Sequence, residues 1–189
     1  AKVGRPGTVA IEIPWDVQAA DCHVSPEDPD TFADSGRQRA SREDTANAAK
    51  LLTDAKLPVI MVGNGVRLSE ASSATIALAE ALGAPMSSSF VGKGAVPEDH
   101  PLAVGMSGWL GHPIAHELIR EHADVILAIG YRFSDQSTSW WTEGLPFVKE
   151  NKIIQIDPEP REMGRTYPVE VGLVGDARAV LEDLLAEVQ

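Results

Sequence analysis

From residue 41 onward, apolar positions follow two rhythms in turn, one suited to helices and one to buried strands. Ser41 with Asp44 three residues later forms a capping-box start, and Ala48, Leu51, Leu52 and Ala55 follow at i, i+3, i+4 and i+7. Pro58-Val59-Ile60-Met61-Val62 is then apolar throughout, as a strand covered on both faces is, and runs into Gly63-Asn64-Gly65. The pattern predicts a second helix capped by Ser69, with Ala74, Ala77, Leu78, Ala81 and Leu82 inward and Gly83 just past its end. Ala84 to Ser88 reads as a short strand. Pro113 suits the first turn of a helix carrying Ile114, Leu118 and Ile119. Val125 to Ile129 and Lys152 to Ile156 are further strands. Asp176 caps a last helix whose stripe is Ala177, Val180, Leu181, Leu184, Leu185 and Val188.

Strands that alternate with helices of this length predict a parallel sheet covered on both faces. The expected fold is a Rossmann-like three-layer α/β/α domain of the NAD/FAD-binding, DHS-like type. Ahead of it, Thr8-Val9-Ala10-Ile11-Glu12-Ile13 reads as a β-type run between Gly7 and Pro14. Without a sheet of its own it needs another edge, on a neighbouring domain or a second copy. Residues 21–40 shift to Asp, Pro, Ser and Gly and read as a linker. The start Ala1-Lys2-Val3-Gly4 resembles neither a signal peptide nor an initiator segment, so the expectation is a piece of a longer protein.

Charge narrows the partners. A net charge of −12 argues against nucleic acid and anionic membrane surfaces, both of which need basic patches. A nucleotide remains compatible, since helix N-termini and one Arg can hold phosphates. The single cysteine, Cys22, excludes an internal disulfide and fits a cytoplasmic protein. No apolar run approaches the roughly 20 residues of a membrane span.

The candidate chemistry lies where strands end. Gly63-Asn64-Gly65-Val66-Arg67-Leu68 stands between strand and helix as a dinucleotide loop does, but Leu68 replaces the third glycine. Met86 to Ser89 occupies the place of a ribose-binding acid, so a plain glycine turn is the competing reading. Gly130-Tyr131-Arg132 presents a cation at the sheet's carboxyl edge, for a phosphate or a flat ring, or for a surface ion pair with Asp135 or Glu143. Asp157 can take ribose hydroxyls or cap the turn at Pro158. Gly175-Asp176-Ala177 meets a helix N-terminus, where capping competes with anion binding. The loops Ser89-Phe90 to Gly92-Lys93-Gly94 and Gly105-Met106-Ser107-Gly108 are further ligand candidates, with Lys93 equally readable as a solvated lysine. His112 and His116 have i, i+4 spacing without the HExxH pattern, so metal binding is not expected. Trp140-Trp141 reads as packing or as a contact with another domain. No activated nucleophile is visible: Cys22 lies in the linker and no Gly-x-Ser-x-Gly elbow is present.

In this order, the segments Gly7 to Val17, Pro58 to Gly65, Gly92 to Leu102, Ala123 to Phe133 and Ile153 to Ala177 resemble thiamine diphosphate-dependent enzymes of the acetolactate synthase type. The resemblance implies three parts: residues 1–20 as the tail of a preceding pyrimidine-binding domain, 21–40 as a linker and 41–189 as the middle domain. It implies a 2-oxo acid carboligase or decarboxylase whose thiamine diphosphate and Mg²⁺ are held by flanking domains, in a homodimer or homotetramer. The fragment alone is then inactive, because Gly175-Asp176 continues as Ala177 rather than as a Gly-Asp-Gly motif. The resemblance also implies a contact set for FAD or ADP: Gly63, Asn64, Gly65, Ser89, Phe90, Gly105, Met106, Gly130, Tyr131, Arg132, Asp157, Pro158, Gly175, Asp176 and Ala177. Ser107, Ser134 and Gln136 depart from the FAD-binding pattern, which has His, Asp and Arg there, so a domain without nucleotide stays open. A stand-alone dinucleotide-binding module is the other alternative.

Overall fold

The computed structural model describes residues 7–28, 36–143, 146–147 and 150–189. Its centre is the pair with the most continuous apolar sequence. Strands β1 (Pro58–Val62) and β4 (Val125–Ile129) are buried at every position and pair in parallel from Pro58 with Val125 to Val62 with Ile129. Around them lie β2 (Met86–Ser88), β3 (Ala103–Met106), β5 (Lys152–Asp157) and β6 (Val171–Val174). The sheet is parallel throughout, in the order β3-β2-β1-β4-β5-β6. The expected parallel α/β fold is therefore present. The order reverses between β1 and β4, and such a switch point is where open α/β sheets take ligands.

One face of the sheet carries the helices α2 (Arg42–Asp54), α4 (Ser72–Leu82) and α6 (Ala177–Val188). Leu52, Leu78, Val180, Leu181 and Leu184 pack there on Ile60, Leu127, Ile154 and Leu173. Each such buried aliphatic side chain contributes about 1.5–3 kcal/mol. The other face is covered more thinly. Short α5 (Pro113–Glu117) continues as one π-helical turn, Leu118–His122, and brings Ile119 onto Ile126 and Ala128. Tyr131, Phe133 and Phe147 complete that layer from loops.

The helix starts follow the sequence closely. Ser41 accepts the Asp44 N–H and Asp176 accepts the N–H groups of Arg178 and Ala179. Gly83 closes α4 at φ 62°. Asp124, just ahead of β4, accepts the Lys56 and Leu57 N–H groups at 2.8 and 3.0 Å and so clamps the entry to β1.

Several expectations are corrected. Thr8 to Ile13 forms no strand and lies exposed, paired with no strand among the described residues; a short helix α1 (Trp15–Ala19) follows. Ser69 does not cap α4: it ends the short helix α3 (Asn64–Leu68), and α4 starts after Ala71. The fully buried positions of α4 are Thr75, Leu78 and Ala79; Ala74 and Leu82 pack half-buried against the same core as expected, and Ala81 is exposed. On α5, Ala115 rather than Ile114 faces the core. The turn expected at Gly63-Asn64-Gly65 is the first turn of α3, and Gly105-Met106 ends β3 instead of forming a loop. The end of the expected linker, residues 36–40, lies along α6. Arg37 pairs with Asp176 and donates to Ser69 O, and Gln38 O accepts the Asp176 N–H.

Candidate functional site

At the switch point the chain leaves β1 and β4 through glycines that touch each other. Gly63 N–H donates to Ile129 O at 3.0 Å and Gly65 N–H to Gly130 O at 3.3 Å. A Cβ on Gly63 would stand 2.0 Å from Gly130 O, and one on Gly65 2.6 Å from Gly130 Cα. Gly130 also has φ +52°, a left-handed conformation that a side chain strains. These glycines serve a close backbone contact between loops, so the glycine turn describes them better than an open phosphate cradle.

The β3 and β4 ends are tied by buried polar groups. Tyr131 is buried and donates its hydroxyl to Ser137 O at 2.9 Å, with Ser107 Oγ at 3.4 Å. Burial pushes this phenol up to about 12, so it is a neutral donor at ordinary pH. Ser107 and Ser134, two of the departures from the FAD-binding pattern, thus belong to one small network, since Ser134 Oγ lies 3.2 Å from Ser137 Oγ. His116 Nε2 accepts the Gly108 N–H at 3.0 Å, and burial lowers its pKa. His112 Nδ1 accepts the Ile114 N–H. Both histidines therefore shape turns.

The remaining candidates lie along the same carboxyl edge but do not converge on one cavity. Arg132 is exposed and has no hydrogen-bond or ion-pair partner among the described residues; Asp135 instead accepts the Gln136 N–H. Asn64 accepts from Arg67 Nε at 3.1 Å. Ser89 is buried and caps the turn at Gly92, while Phe90 is exposed. Gly105 is exposed and Met106 half-buried. Asp157 is buried at the end of β5 and accepts the Glu159 N–H at 2.9 Å, which is the turn role, with Pro158 half-buried beside it. A Cβ on Gly175 would stand 2.8 Å from Gln38 O, Asp176 is committed to its cap and to Arg37, and Ala177 is buried. The N-terminus of α6 is thereby filled from within the chain. The sequence reading missed Arg37 and Gln38, which lie far from Asp176 along the chain.

Three comparisons bear on this geometry. Residues 45–184 match the family model of the thiamine pyrophosphate enzyme central domain. A probable acetolactate synthase large subunit of Methanocaldococcus jannaschii is 40% identical over 98% of this chain and 32% of its own length. A sulfoacetaldehyde acetyltransferase of Roseovarius nubinhibens is 42% identical over 82% of the chain and 26% of its own length. The chain thus spans about a third or less of these relatives. The crystal structure of benzoylformate decarboxylase from Polynucleobacter necessarius superposes with TM-score 0.67 at 26% identity, covering 86% of this chain and 30% of that one. A parallel sheet of this order and a match across most of the chain lead to one conclusion: the chain belongs to the central-domain family of thiamine pyrophosphate enzymes.

Proposed function

We propose that this chain is the middle domain of an acetolactate synthase-like carboligase or decarboxylase that acts on 2-oxo acids and draws thiamine diphosphate and Mg²⁺ from flanking domains. The observation that carries the reading is the alignment over 98% of this chain with one third of an acetolactate synthase relative. Thiamine diphosphate supplies the carbanion-stabilising centre in such enzymes, and this domain positions the domains that bind it. On this reading residues 1–20 end the preceding domain, 21–40 link it to the middle domain, the enzyme is a cytoplasmic homodimer or homotetramer, and neither nucleic acid nor membrane is a partner.

The nucleotide reading rests on Arg132. Its guanidinium at the switch point, without a partner among the described residues, suits a phosphate of FAD or ADP. The glycine contacts and the filled α6 terminus favour the competing reading, a domain that packs without nucleotide. Absorbance near 450 nm and nucleotide release from the full polypeptide separate the two. Stoichiometric FAD or ADP that Arg132→Ala lowers at least about tenfold supports the clamp. Unchanged cofactor content, or none in the unaltered protein, supports the structural domain.

A further inference from the structure

On the loops that leave β4 and lead into β6, Trp141, Arg165, Thr166 and Tyr167 line a cleft of about 490 Å³. None of the four belongs to the carboxyl-edge set. The volume lies in the range of small-molecule sites, and both walls are held in place from beneath. Trp141 donates its indole N–H to Phe133 O at 3.0 Å, and its backbone N–H to Thr138 O at 3.1 Å. Its polar edge is thus tied inward while the residue as a whole stays 55% exposed. Ser139, Trp140 and Trp141 hold this pose at φ 51°, 55° and 54°, a left-handed run that bulky residues adopt only under constraint. The Tyr167 ring, which also lines the cleft, packs edge-on against Phe133 and Phe147, each at 5.4 Å between centroids.

The cation of the cleft is also built in. Arg165 donates from Nη1 to Glu162 Oε1 at 3.0 Å, and Glu162 is buried. Buried Gln155 of β5 fastens this segment to the sheet, donating to Glu162 O at 3.0 Å and accepting the Gly164 N–H at 3.1 Å. The other guanidinium N–H groups and the Thr166 hydroxyl have no partner among the described residues. The result is two fixed aromatic walls, a guanidinium with unused donors and a hydroxyl beside it.

We propose that this cleft binds a planar aromatic carboxylate, its ring against Trp141 and Tyr167 and its carboxylate on Arg165 and Thr166. A bare anion gains nothing from the aromatic walls, and a neutral ring leaves the remaining guanidinium donors, those not spent on Glu162, unused. Pre-fixed walls keep the ordering cost of binding small.

Benzoate is the probe, measured by calorimetry on the full polypeptide, with benzamide and acetate as the ring-only and anion-only arms. We expect one benzoate per chain in about the millimolar range. Benzamide should bind at least about tenfold more weakly, and acetate should give no saturable signal. Trp141→Leu and Arg165→Gln should each weaken benzoate about tenfold or more, while Arg120→Gln leaves it unchanged. Because Arg165→Gln removes one partner of the buried Glu162, Thr166→Val serves as the milder variant and should weaken benzoate severalfold with an unaltered Tm. Absence of saturable benzoate binding, or binding that survives both Trp141→Leu and Thr166→Val, overturns the proposal.

Discussion

Gly63 fixes the carboxyl edge at the scale of one atom. Its φ is an ordinary −95°, so only space forbids a side chain there, and the space is taken by Gly130 O. Gly63→Ala should therefore cost about 1–3 kcal/mol in urea unfolding. Gly7→Ala, with nothing within 4 Å, should stay within about 0.5 kcal/mol. Asp124 is the other decisive residue. Burial acts to raise its pKa, but the backbone N–H groups of Lys56, Leu57, Asp124 and Val125 together outweigh that and hold it below the ordinary value of 3.8. A carboxyl with a lowered folded pKa adds stability above its unfolded pKa and loses it as pH falls through the folded one. Urea midpoints between neutral pH and pH 3 should therefore drop less steeply for Asp124→Asn, which starts from a lower midpoint at pH 7. An equally steep acid limb in the variant would refute this role.

Among the elements, β1 and β4 were legible to the residue, because a strand buried on both faces must be apolar at every position. The sheet's outer strands were not. Ala103–Met106 and Val171–Val174 are four residues long, each holds a glycine, and they are strands only because β2 and β5 offer them hydrogen bonds. Thr8 to Ile13 shows the converse, an alternating pattern that pairs with no strand among the described residues. The same divide runs through the site. The position of Arg132 after a buried strand was readable, whereas the docking of Arg37 on Asp176 spans 139 residues of sequence and leaves no local signal. That contact yields its own expectation. Asp176→Ala removes both the α6 cap and the Arg37 partner and should cost about 1–2 kcal/mol in thermal or urea unfolding. Arg37→Ala, which spares the cap, should cost about 1 kcal/mol or less. Equal losses would mean that the clip rather than the cap carries the stability.

At the scale of the whole molecule, several polar side chains of the described residues are engaged in structural roles. Tyr131 is held neutral, His112 and His116 are spent on turns, and Asp157 and Asp176 serve backbone caps. Among the described residues no helix is long and apolar enough to cross a membrane. Large apolar side chains nevertheless stand exposed at the carboxyl edge, at Phe90, Trp109, Leu110 and Trp140. Exposed apolar groups gathered in this way suit burial against further protein, consistent with a chain that covers about a third of its relatives. The most direct test is turnover of pyruvate by the full polypeptide, stripped with a chelator and assayed with and without added thiamine diphosphate and Mg²⁺, beside residues 1–189 alone. The expected result is pyruvate consumption only by the full polypeptide and only with both additions. Turnover by residues 1–189 alone, or a full polypeptide that neither binds thiamine diphosphate nor consumes any 2-oxo acid, would contradict a middle-domain role.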